Sequence, residues 1–425
     1  MGWVTPLGDD IEGVWSRLLA GESGIAKTTI FDASTFPTTF SAEVKQFDLA
    51  LYLGAEQARC HQDSSRNTRF ALAAARMAWD SAGMPGCKDL DSTRVGIYLG
   101  SGEGPIDFDN FVAAAVAGWD REANNGRGDL DARRWVDVAA ERLHATREFE
   151  QDPNMASGHI ACLFGVEGPT FNTLTACAAS TQAIGEATNL IRRGDADVAI
   201  SGGTHSMIHP FGVTGFNRLT ALSTRNDTCI TASRPFDRTR DGFVLGEGAG
   251  ILILEEYEHA RRRGAKMLAE ITGYGSTADA FRITDIHEDG RGGIAAMRLA
   301  LADAGLQTSD IDYISAHGTG TEENDKIESL AIGAVFADRA SRVPVSSIKS
   351  MMGHLIAAAG AVELITCVLA IRDGMLPPTT NYQNPDPNCP LDYVPNQARK
   401  TQVEAALSNS FGFGGQNDTL VVRRV

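Results

Sequence analysis

The stretch Phe171-Asn-Thr-Leu-Thr-Ala-Cys177-Ala-Ala-Ser180 joins an apolar run to a helical pattern of small residues that extends to Arg193. Cys177 is therefore predicted at a helix N-terminus, where free backbone N–H groups and the helix dipole stabilise a thiolate. In this way a cytosolic protein can turn a thiol into a nucleophile. Taken alone, a cysteine between alanine and serine residues is more often a small buried hydrophobic side chain.

A second part of the chain has the same arrangement. Residues 172–194 run through a strand and a turn to Cys177 and then into a helix that ends in Arg-Arg-Gly. Residues 343–374 run through a strand and a turn to His354 and then into a helix that ends in Arg-Asp-Gly. We interpret the pair as an internal duplication with two similar halves, residues 1–256 and 257–425. Two unrelated alanine-rich helices are the alternative.

Short apolar runs alternate with helical patterns along the rest of the chain, which is typical of an α/β fold. The strand candidates are residues 95–100, 198–202, 251–255, 267–273, 311–316, 343–348, 405–408 and 419–422. The helix candidates are residues 67–81, 180–193, 292–304, 323–335 and 354–372. Residues 105–152 interrupt this rhythm with a polar segment that ends in an amphipathic pattern at 136–150, and we expect them to cover the surface or a dimer interface.

The composition excludes several classes of protein. The chain has 425 residues, of which 43% are hydrophobic, so it can form two large domains or one duplicated core. The net charge of −16 argues against nucleic acid as a partner. No apolar run approaches ~20 residues, so we expect no membrane span. The seven cysteines include no CxxC pair, which predicts free thiols, a cytoplasmic location and no metal site.

Two of the nine histidines follow strand-like runs and have glycine neighbours. His317 lies in the motif Ser-Ala-His-Gly-Thr-Gly-Thr, and His354 lies in the motif Ser-Ile-Lys-Ser-Met-Met-Gly-His. Glycine lets the backbone bring a side chain close to a ligand. A lone histidine at the end of a strand more often has a structural role, and only the fold could bring these two together with Cys177.

A glycine-rich loop with two aromatic residues lies near the C-terminus. Residues 408–417 read Ser-Asn-Ser-Phe-Gly-Phe-Gly-Gly-Gln-Asn. The loop lacks the GxGxxG order, and no P-loop lysine follows it, so a phosphate cradle is disfavoured. Phe411 and Phe413 between glycines are more typical of a movable apolar gate.

Four of these motifs, Thr-Ala-Cys177-Ala-Ala-Ser, His317-Gly-Thr-Gly-Thr, Ile-Lys349-Ser-Met-Met-Gly-His354 and Ser-Asn-Ser-Phe411-Gly-Phe-Gly-Gly, form one set. Together they resemble the β-ketoacyl-acyl-carrier-protein synthases of the thiolase superfamily. The resemblance extends to residues 4–8, 222–227 and 234–250, so it covers nearly the whole chain in order. The chain is most similar to the elongating synthase II type, and residues 321–325, 343–349 and 386–395 lean toward ketosynthases of type II polyketide systems.

The resemblance implies a thiolase-like layered fold, α-β-α-β-α, with a buried pair of helices. It implies that Cys177 takes an acyl chain from the phosphopantetheine thiol of a carrier protein. A malonyl carrier then loses CO2 and condenses with that acyl group to give a β-ketoacyl carrier. No cofactor is implied on the chain itself, because the phosphopantetheine arrives on an acidic acyl carrier protein. A homodimer or a ketosynthase heterodimer is also implied.

The two histidines are implied to stabilise the enolate oxygen that forms on decarboxylation. A neutral imidazole can donate from Nε2 only if its Nδ1 accepts a hydrogen bond from a fixed donor. Lys349, paired with Glu328, is implied to order His317. The backbone N–H groups of Cys177 and Phe411 are implied to form the oxyanion hole of the thioester.

The same resemblance assigns binding roles to other residues. Phe411, assisted by Phe413, would be the gate. Three threonines would bind the pantetheine amides, namely Thr319, Thr321 and Thr284. Three arginines are candidates for docking the acidic carrier: Arg225 by its motif, and Arg66 and Arg69, for which a solvated helix face is the alternative.

The chain departs from the family pattern in two places. An apolar strand usually precedes the Val-Thr-Pro-Leu-Gly motif, whereas only three residues precede Val4 here. We expect that strand to lie inside a sheet, so either the natural start lies upstream, which we favour, or another segment replaces the strand. Glu103 stands where the family commonly places an apolar residue of the acyl pocket. This predicts a short, polar or shared pocket, and the alternative is that Glu103 turns toward solvent or a partner chain.

Other functions account for fewer of these residues. A degradative thiolase would place a second cysteine near the C-terminal glycine loop, and an initiating synthase would pair the cysteine with His and Asn. A papain-type protease would leave Lys349 and the second histidine unexplained. A non-elongating partner or scaffold subunit of a ketosynthase heterodimer remains the alternative, and the intact Cys177 argues against it.

Overall fold

The computed structural model describes residues 1–87, 90–102, 104, 107–284 and 286–425. Its strands are β1 Gly2–Val4, β2 Ala26–Lys27, β3 Phe40–Ser41, β4 Val95–Ser101, β5 Trp119–Asp120, β6 Asp129–Leu130, β7 Thr170–Thr173, β8 Val198–His205, β9 Gly248–Glu255, β10 Glu270–Ala278, β11 Tyr313–Ser315, β12 Val345–Ser346, β13 Met375–Leu376, β14 Arg399–Lys400, β15 Ala405–Gly412 and β16 Gln416–Arg423.

Its α-helices are α1 Ile11–Ala20, α2 Ala50–Leu53, α3 Ala55–Cys60, α4 Arg66–Ser81, α5 Phe108–Gly118, α6 Ala123–Gly126, α7 Ala132–Arg142, α8 Ala145–Phe149, α9 Met155–Phe164, α10 Ala179–Arg192, α11 Pro210–Arg218, α12 Tyr257–Arg262, α13 Arg291–Ala304, α14 Glu322–Phe336, α15 Lys349–Met352 and α16 Ala359–Asp373. Short 3₁₀ turns precede two of them: Ala176–Ala178 leads into α10, and Ile356–Ala358 leads into α16.

Two five-stranded sheets share one topology. The first has the order β1-β9-β8-β4-β7, and the second has the order β10-β16-β15-β11-β12. In each sheet the first two pairings are antiparallel and the last two are parallel. Numbered along the chain within each sheet, both orders read 1-5-4-2-3. The predicted internal duplication is therefore confirmed.

Two helices are buried between the sheets. All thirteen residues from Ala359 to Ile371 of α16 are buried, including Glu363. A helix that is apolar on every side is stable only when other elements cover all of it. α16 packs on both sheets and beside α10, while α4 covers the outer face of the first sheet and α13 the outer face of the second. The predicted order of layers, α-β-α-β-α, is confirmed.

The strand β1 lies at the edge of its sheet. It pairs with β9, and β9 separates it from β8, so the expectation of an N-terminal strand inside the sheet was wrong. Gly2 lets α4 lie directly on this short strand, because a Cβ atom at this position would lie 2.2 Å from the carbonyl oxygen of Ala74.

Several element boundaries differ from the predicted ones. The second buried helix begins at Ala359 and not at His354, because the chain first makes the turn Ile356–Ala358. The amphipathic pattern at 136–150 forms two helices, α7 and α8. Within residues 107–152, α5 and the β5–β6 hairpin were not predicted. None of the helices in the described ranges is both long and apolar enough to cross a membrane.

Candidate active site

Cys177 and His354 stand beside matching strained turns. Ala176, the residue before Cys177, has φ = 47°, and Ile356, two residues after His354, has φ = 46°. Left-handed backbone is uncommon for alanine and for a β-branched residue, and such strain concentrates at functional sites. Each residue opens the 3₁₀ turn that leads into a buried helix. The duplicated fold thus uses the same turn twice to present a side chain at the start of α10 and of α16.

The fold brings the three candidate catalytic side chains together. The ligating atoms of Cys177, His317 and His354 all lie within 4.8 Å of one another, and all three residues are buried. The two imidazole rings meet edge to face with their centroids 5.3 Å apart. β11 leads into His317, β12 leads toward His354, and the helix pair supplies the turns, so both halves contribute to one site.

His354 is held as a neutral hydrogen-bond donor. Its Nδ1 accepts the backbone N–H of Ile356 at 3.2 Å, which places the ring proton on Nε2. Among the described residues, Nε2 has no hydrogen-bond partner although it is buried. Burial, followed by the charge of Lys349, holds the pKa of His354 well below 6.5. The N–H of Nε2 is therefore free to donate to a substrate oxygen.

His317 is held in the same way by Lys349. The Lys349 ammonium lies 3.5 Å from Nδ1 of His317 and donates to the His317 carbonyl oxygen at 2.6 Å. An ammonium can only donate, so Nδ1 accepts and Nε2 carries the proton. Burial and the charge of Lys349 lower the pKa of His317 well below 6.5.

The predicted pairing of Lys349 with Glu328 was wrong. Lys349 forms its buried ion pair with Glu363 of α16. Glu328 accepts the backbone N–H groups of His317 and Gly318 at 2.8 and 2.7 Å, so it fixes the loop and not the lysine. Burial raises the pKa of Glu328 to about 7.

Glu363 was not predicted as a site residue, although its sequence context indicates one. It is a lone acidic residue in an apolar helical stretch, Ala-Gly-Ala-Val-Glu-Leu-Ile-Thr. A carboxylate is almost never fully buried unless it is paired, so such a residue indicates a buried cation nearby. Lys349 is the cation that Glu363 meets.

The Cys177 thiol differs from its prediction. Burial raises its pKa to about 11, and the charge of Lys349 and the backbone N–H of Phe413 oppose this increase. The predicted lowering of the pKa by the helix N-terminus is therefore outweighed by burial. At pH 7 the resting residue is a thiol.

The amide that reaches the Cys177 sulfur belongs to Phe413, not to Phe411. β15 ends at Gly412, where a Cβ atom would lie 2.7 Å from the carbonyl oxygen of Thr175 and 3.4 Å from the amide nitrogen of Cys177. Only glycine lets the strand end pass this close to the nucleophile. Phe413 follows in a turn, and its side chain is half-buried.

Phe411, the predicted gate, is enclosed by its neighbours. Its ring centroid lies 5.9 Å from that of His317, and its side chain is 5% exposed. A Cβ atom on Gly293 of α13 would lie 3.0 Å from its ring, so the helix closes the other side. Phe411 therefore packs against His317, whereas Phe413 stands at the turn over the thiol.

Cysteine and two histidines are also a zinc-binding set. A metal between them would need the lone pair of each Nε2 atom. The hydrogen bonds from Lys349 and Ile356 to the Nδ1 atoms instead place protons on Nε2 of His317 and His354. The site is arranged for hydrogen-bond donation toward an oxygen atom.

The predicted pantetheine residues lie around the same loops. The hydroxyls of Thr319 and Thr321 are 2.9 Å apart and bond to each other just before α14. Thr284 is exposed, and the preceding carbonyl, that of Ile283, accepts the N–H of Gly414 at 2.7 Å. Thr284 thus lies beside the turn that carries Phe413.

The three predicted docking arginines differ in how they are engaged. Arg66 donates twice to the buried Glu247, at 2.6 and 2.9 Å, so it acts mainly as an internal counter-charge. Arg225 pairs with Asp241 at 3.3 Å. Arg69 donates to the carbonyl oxygen of Gln62, and among the described atoms its Nε has no partner.

Arg66 and Arg69 line a surface cavity of about 450 Å³ together with Arg147. Glu103, predicted to line the acyl pocket, lies outside the described residues.

Comparisons with known proteins agree with this geometry. Residues 1–260 match the family "Beta-ketoacyl synthase, N-terminal domain", and residues 268–383 match "Beta-ketoacyl synthase, C-terminal domain". The chain is 41% identical to a 3-oxoacyl-[acyl-carrier-protein] synthase 2 of Coxiella burnetii, with 100% of this chain and 97% of that protein covered.

Solved structures of ketosynthases are also similar. The ishigamide ketosynthase/chain length factor matches with a TM-score of 0.86 and 34% identity, over 100% of this chain and 97% of that chain. A type II polyketide synthase acyl-carrier protein in complex with its ketosynthase, bound to the hexaketide, matches with a TM-score of 0.85 and 33% identity, over 100% and 97%. The family motifs, the layered fold and the buried Cys177–His317–His354 site all coincide, and the chain belongs to the β-ketoacyl synthase family.

Proposed function

We propose that this chain is a β-ketoacyl-acyl-carrier-protein synthase, a condensing acyltransferase of fatty acid or polyketide synthesis. One observation carries the proposal. A buried thiol lies within 4.8 Å of two neutral imidazoles, whose Nδ1 atoms both accept hydrogen bonds. The site therefore offers one nucleophile and two N–H donors, which is what acyl transfer followed by enolate formation requires.

In the first step Cys177 receives the acyl chain. Its sulfur forms a bond to the thioester carbonyl carbon, and the bond to the pantetheine sulfur of the carrier breaks. The proton of the Cys177 thiol goes to the departing pantetheine thiolate. The backbone N–H groups of Cys177 and Phe413 stabilise the oxygen of the tetrahedral intermediate, since both reach the Cys177 sulfur.

In the second step a malonyl carrier replaces the first carrier. Its C–C bond to the carboxylate breaks, CO2 leaves, and the electron pair forms an enolate. The Nε2–H groups of His317 and His354 donate to the enolate oxygen. The enolate carbon attacks the Cys177 thioester, and the Cys177 thiolate leaves and takes a proton from solvent. Lys349 and Glu328 are positioning residues, because they fix His317 and do not touch the reacting atoms.

The substrates arrive on an acidic acyl carrier protein that carries the phosphopantetheine. Thr319, Thr321 and Thr284 line its path. The cavity with Arg69 and Arg147 supports docking, because the Arg147 side chain is 55% exposed there and can pair with an acidic side chain of the carrier. Arg225 is a second contact.

A second ketosynthase-like chain covers the edge of the first sheet. β7 is its edge strand, and about half of the Phe171 side chain and of the neighbouring Leu174 side chain is exposed. An exposed apolar edge strand is normally covered by another chain or element. Either a homodimer or a heterodimer with a chain length factor would cover it.

The two halves of the chain meet at residues 256/257. The free cysteines suit a cytoplasmic enzyme.

The experiment is intact-protein mass spectrometry after incubation with acyl-carrier thioesters of several lengths, followed by malonyl carrier. We expect the protein to gain the mass of the acyl group, to lose it when malonyl carrier is added, and to release CO2. The Cys177→Ala variant should gain no mass. If the wild-type chain is not acylated by any carrier, alone or with a partner subunit, the proposal is wrong.

A further inference from the structure

A third buried histidine lies close to the active site and has no role in the reaction described above. His205 is the last residue of β8, and its side chain is 4% exposed. In the part of the chain that the structure describes, neither of its ring nitrogens has a hydrogen-bond partner. A buried donor or acceptor left without a partner is destabilising, so such a group calls for an explanation.

The strand β8 places His205 on the inner face of the first sheet. The hydroxyl of Thr204 donates at 2.6 Å to the carbonyl oxygen of Asn67 in α4, so Thr204 faces the outer layer. Successive residues of a strand point to opposite faces, so Gly203 and His205 both face the inner layer. There a Cβ atom on Gly203 would lie 2.6 Å from the Ala357 carbonyl oxygen, three residues after His354.

The immediate neighbours of the ring also belong to the site. A Cβ atom on Gly102 would lie 2.7 Å from Nδ1 of His205 and 4.0 Å from a methyl carbon of Leu174, three residues before Cys177. His205 also contributes to the lowered pKa of His354, which places the two rings within electrostatic range. His205 thus stands beside the segment that leads to Cys177.

The chemistry of the ring defines what it can bind. Burial lowers the pKa of His205 to about 3, so the ring is neutral and offers one N–H donor and one acceptor. The side chains packed around Cys177 are otherwise mainly aliphatic and aromatic, among them Ile208, Phe243 and Ile356. In such surroundings a single hydrogen bond to a substrate oxygen strongly favours an acyl chain with that oxygen over one without it. An acyl chain without the oxygen leaves the His205 ring unpaired.

We propose that His205 is a specificity-determining residue that binds an oxygen atom on the acyl chain carried by Cys177. The preferred acyl chain is accordingly one that bears a hydroxyl or a keto group, in place of a plain alkyl chain. A hydroxyl can both donate to and accept from the ring, whereas a keto group only accepts. The inference rests on the proposed function of Cys177 and adds the substrate class of the same site.

The test compares carrier thioesters of octanoate with octanoates that bear a hydroxyl or a keto group at C3, C5 or C7. The rate of Cys177 acylation is followed by intact mass for the wild type, His205→Leu and His205→Gln. We expect one oxygenated chain to acylate the wild type at least about tenfold faster than octanoate. His205→Leu should abolish the advantage of that chain over octanoate, and His205→Gln, which keeps a donor and an acceptor, should restore part of the preference.

The inference is overturned if every oxygenated chain reacts with the wild type no faster than octanoate. It is also overturned if the preference survives in His205→Leu. If octanoate and all oxygenated chains fail to acylate Cys177, the proposed function itself fails and the inference falls with it. Thermal unfolding of each variant checks the fold. Should His205→Leu not fold, the wild-type ratios and His205→Gln still decide the question.

Discussion

The backbone N–H of Ile356 donates a hydrogen bond of 3.2 Å to Nδ1 of His354. This bond places the proton of the neutral ring on Nε2, next to the Cys177 sulfur. Ile356 adopts a left-handed conformation with φ = 46° to make the turn. Backbone strain in one residue is thus coupled to the tautomer of a neighbouring catalytic candidate, which keeps a donor ready before any substrate arrives.

This relationship predicts how decarboxylation depends on pH. Burial holds the pKa of His354 well below 6.5, so the ring stays neutral as the pH falls through 6.5. In Glu328→Gln, which removes the buried carboxyl whose pKa of about 7 falls in the same range, we expect CO2 release from malonyl carrier by the acylated enzyme to change less than about twofold between pH 7.5 and 5.5. A tenfold loss per pH unit below 6.5 would contradict a neutral donor.

Replacement of the donor gives the matching prediction. His354→Leu should reduce CO2 release about 10²–10³-fold while Cys177 is still acylated, because removal of one preorganised donor has effects of this size. His354→Asn keeps an N–H donor and should retain more activity. Equal losses in the two variants would show that packing, and not hydrogen-bond donation, is the contribution of His354.

The raised pKa of Cys177 predicts slow alkylation at neutral pH. With a pKa of about 11, only about one thiol in 10⁴ is ionised at pH 7. The rate of iodoacetamide modification should therefore increase about tenfold per pH unit from pH 7 to 9.5, without a plateau. Peptide mass spectrometry resolves Cys177 from the exposed Cys60, which serves as the surface control in the same sample. A plateau below pH 8 at Cys177 would show that the thiolate is stabilised.

Much of this fold was predictable because the two halves share a local sequence pattern. Cys177 and His354 each stand before an alanine-rich helix, and that repeat survives as two sheets with one strand order. The partner of Lys349 was not predictable from spacing, since a residue on α14 and one on α16 both lie within reach only after folding. Glu328 is nearer to His317 in sequence, but α16 carries Glu363 to the lysine.

The prediction of a lowered pKa for the Cys177 thiol was wrong for a related reason. A sequence shows that Cys177 precedes a helix, but not that the opposite sheet and helix bury it. The identity of the amide that completes the oxyanion hole also depends on where β15 ends. Both phenylalanines of the glycine loop fit the pattern equally, and the termination of β15 at Gly412 places the amide of Phe413, not that of Phe411, at the sulfur.

The buried pair Lys349–Glu363 predicts a large stability effect. Both side chains are only 2% exposed, so removal of one partner leaves an uncompensated buried charge. Glu363→Leu should lower the free energy of unfolding by about 3–5 kcal/mol. The double variant Lys349→Met/Glu363→Leu should be destabilised by less than the sum of the single changes.

Chemical denaturation of the four proteins measures this coupling. The surface pair Arg76–Asp80 offers the control, because Asp80→Ala should cost about 0.5 kcal/mol or less. Strict additivity of Lys349→Met and Glu363→Leu would show that the two groups do not interact in solution.

Gly412 predicts how closely the loop must approach the nucleophile. In Gly412→Ala the new methyl group would stand 2.7 Å from the Thr175 carbonyl oxygen, so β15 or the Cys177 turn must move. We expect acylation of Cys177 to decrease about 10²-fold or more, because the Phe413 amide no longer meets the developing oxyanion.

Gly158→Ala is the matched control, since this exposed glycine in α9 has open space around its Cβ position. Its activity should equal that of the wild type, with stability unchanged or slightly higher. If Gly412→Ala acylates as fast as Gly158→Ala, the amide of Phe413 does not form the oxyanion hole, and the turn after β15 only covers the site.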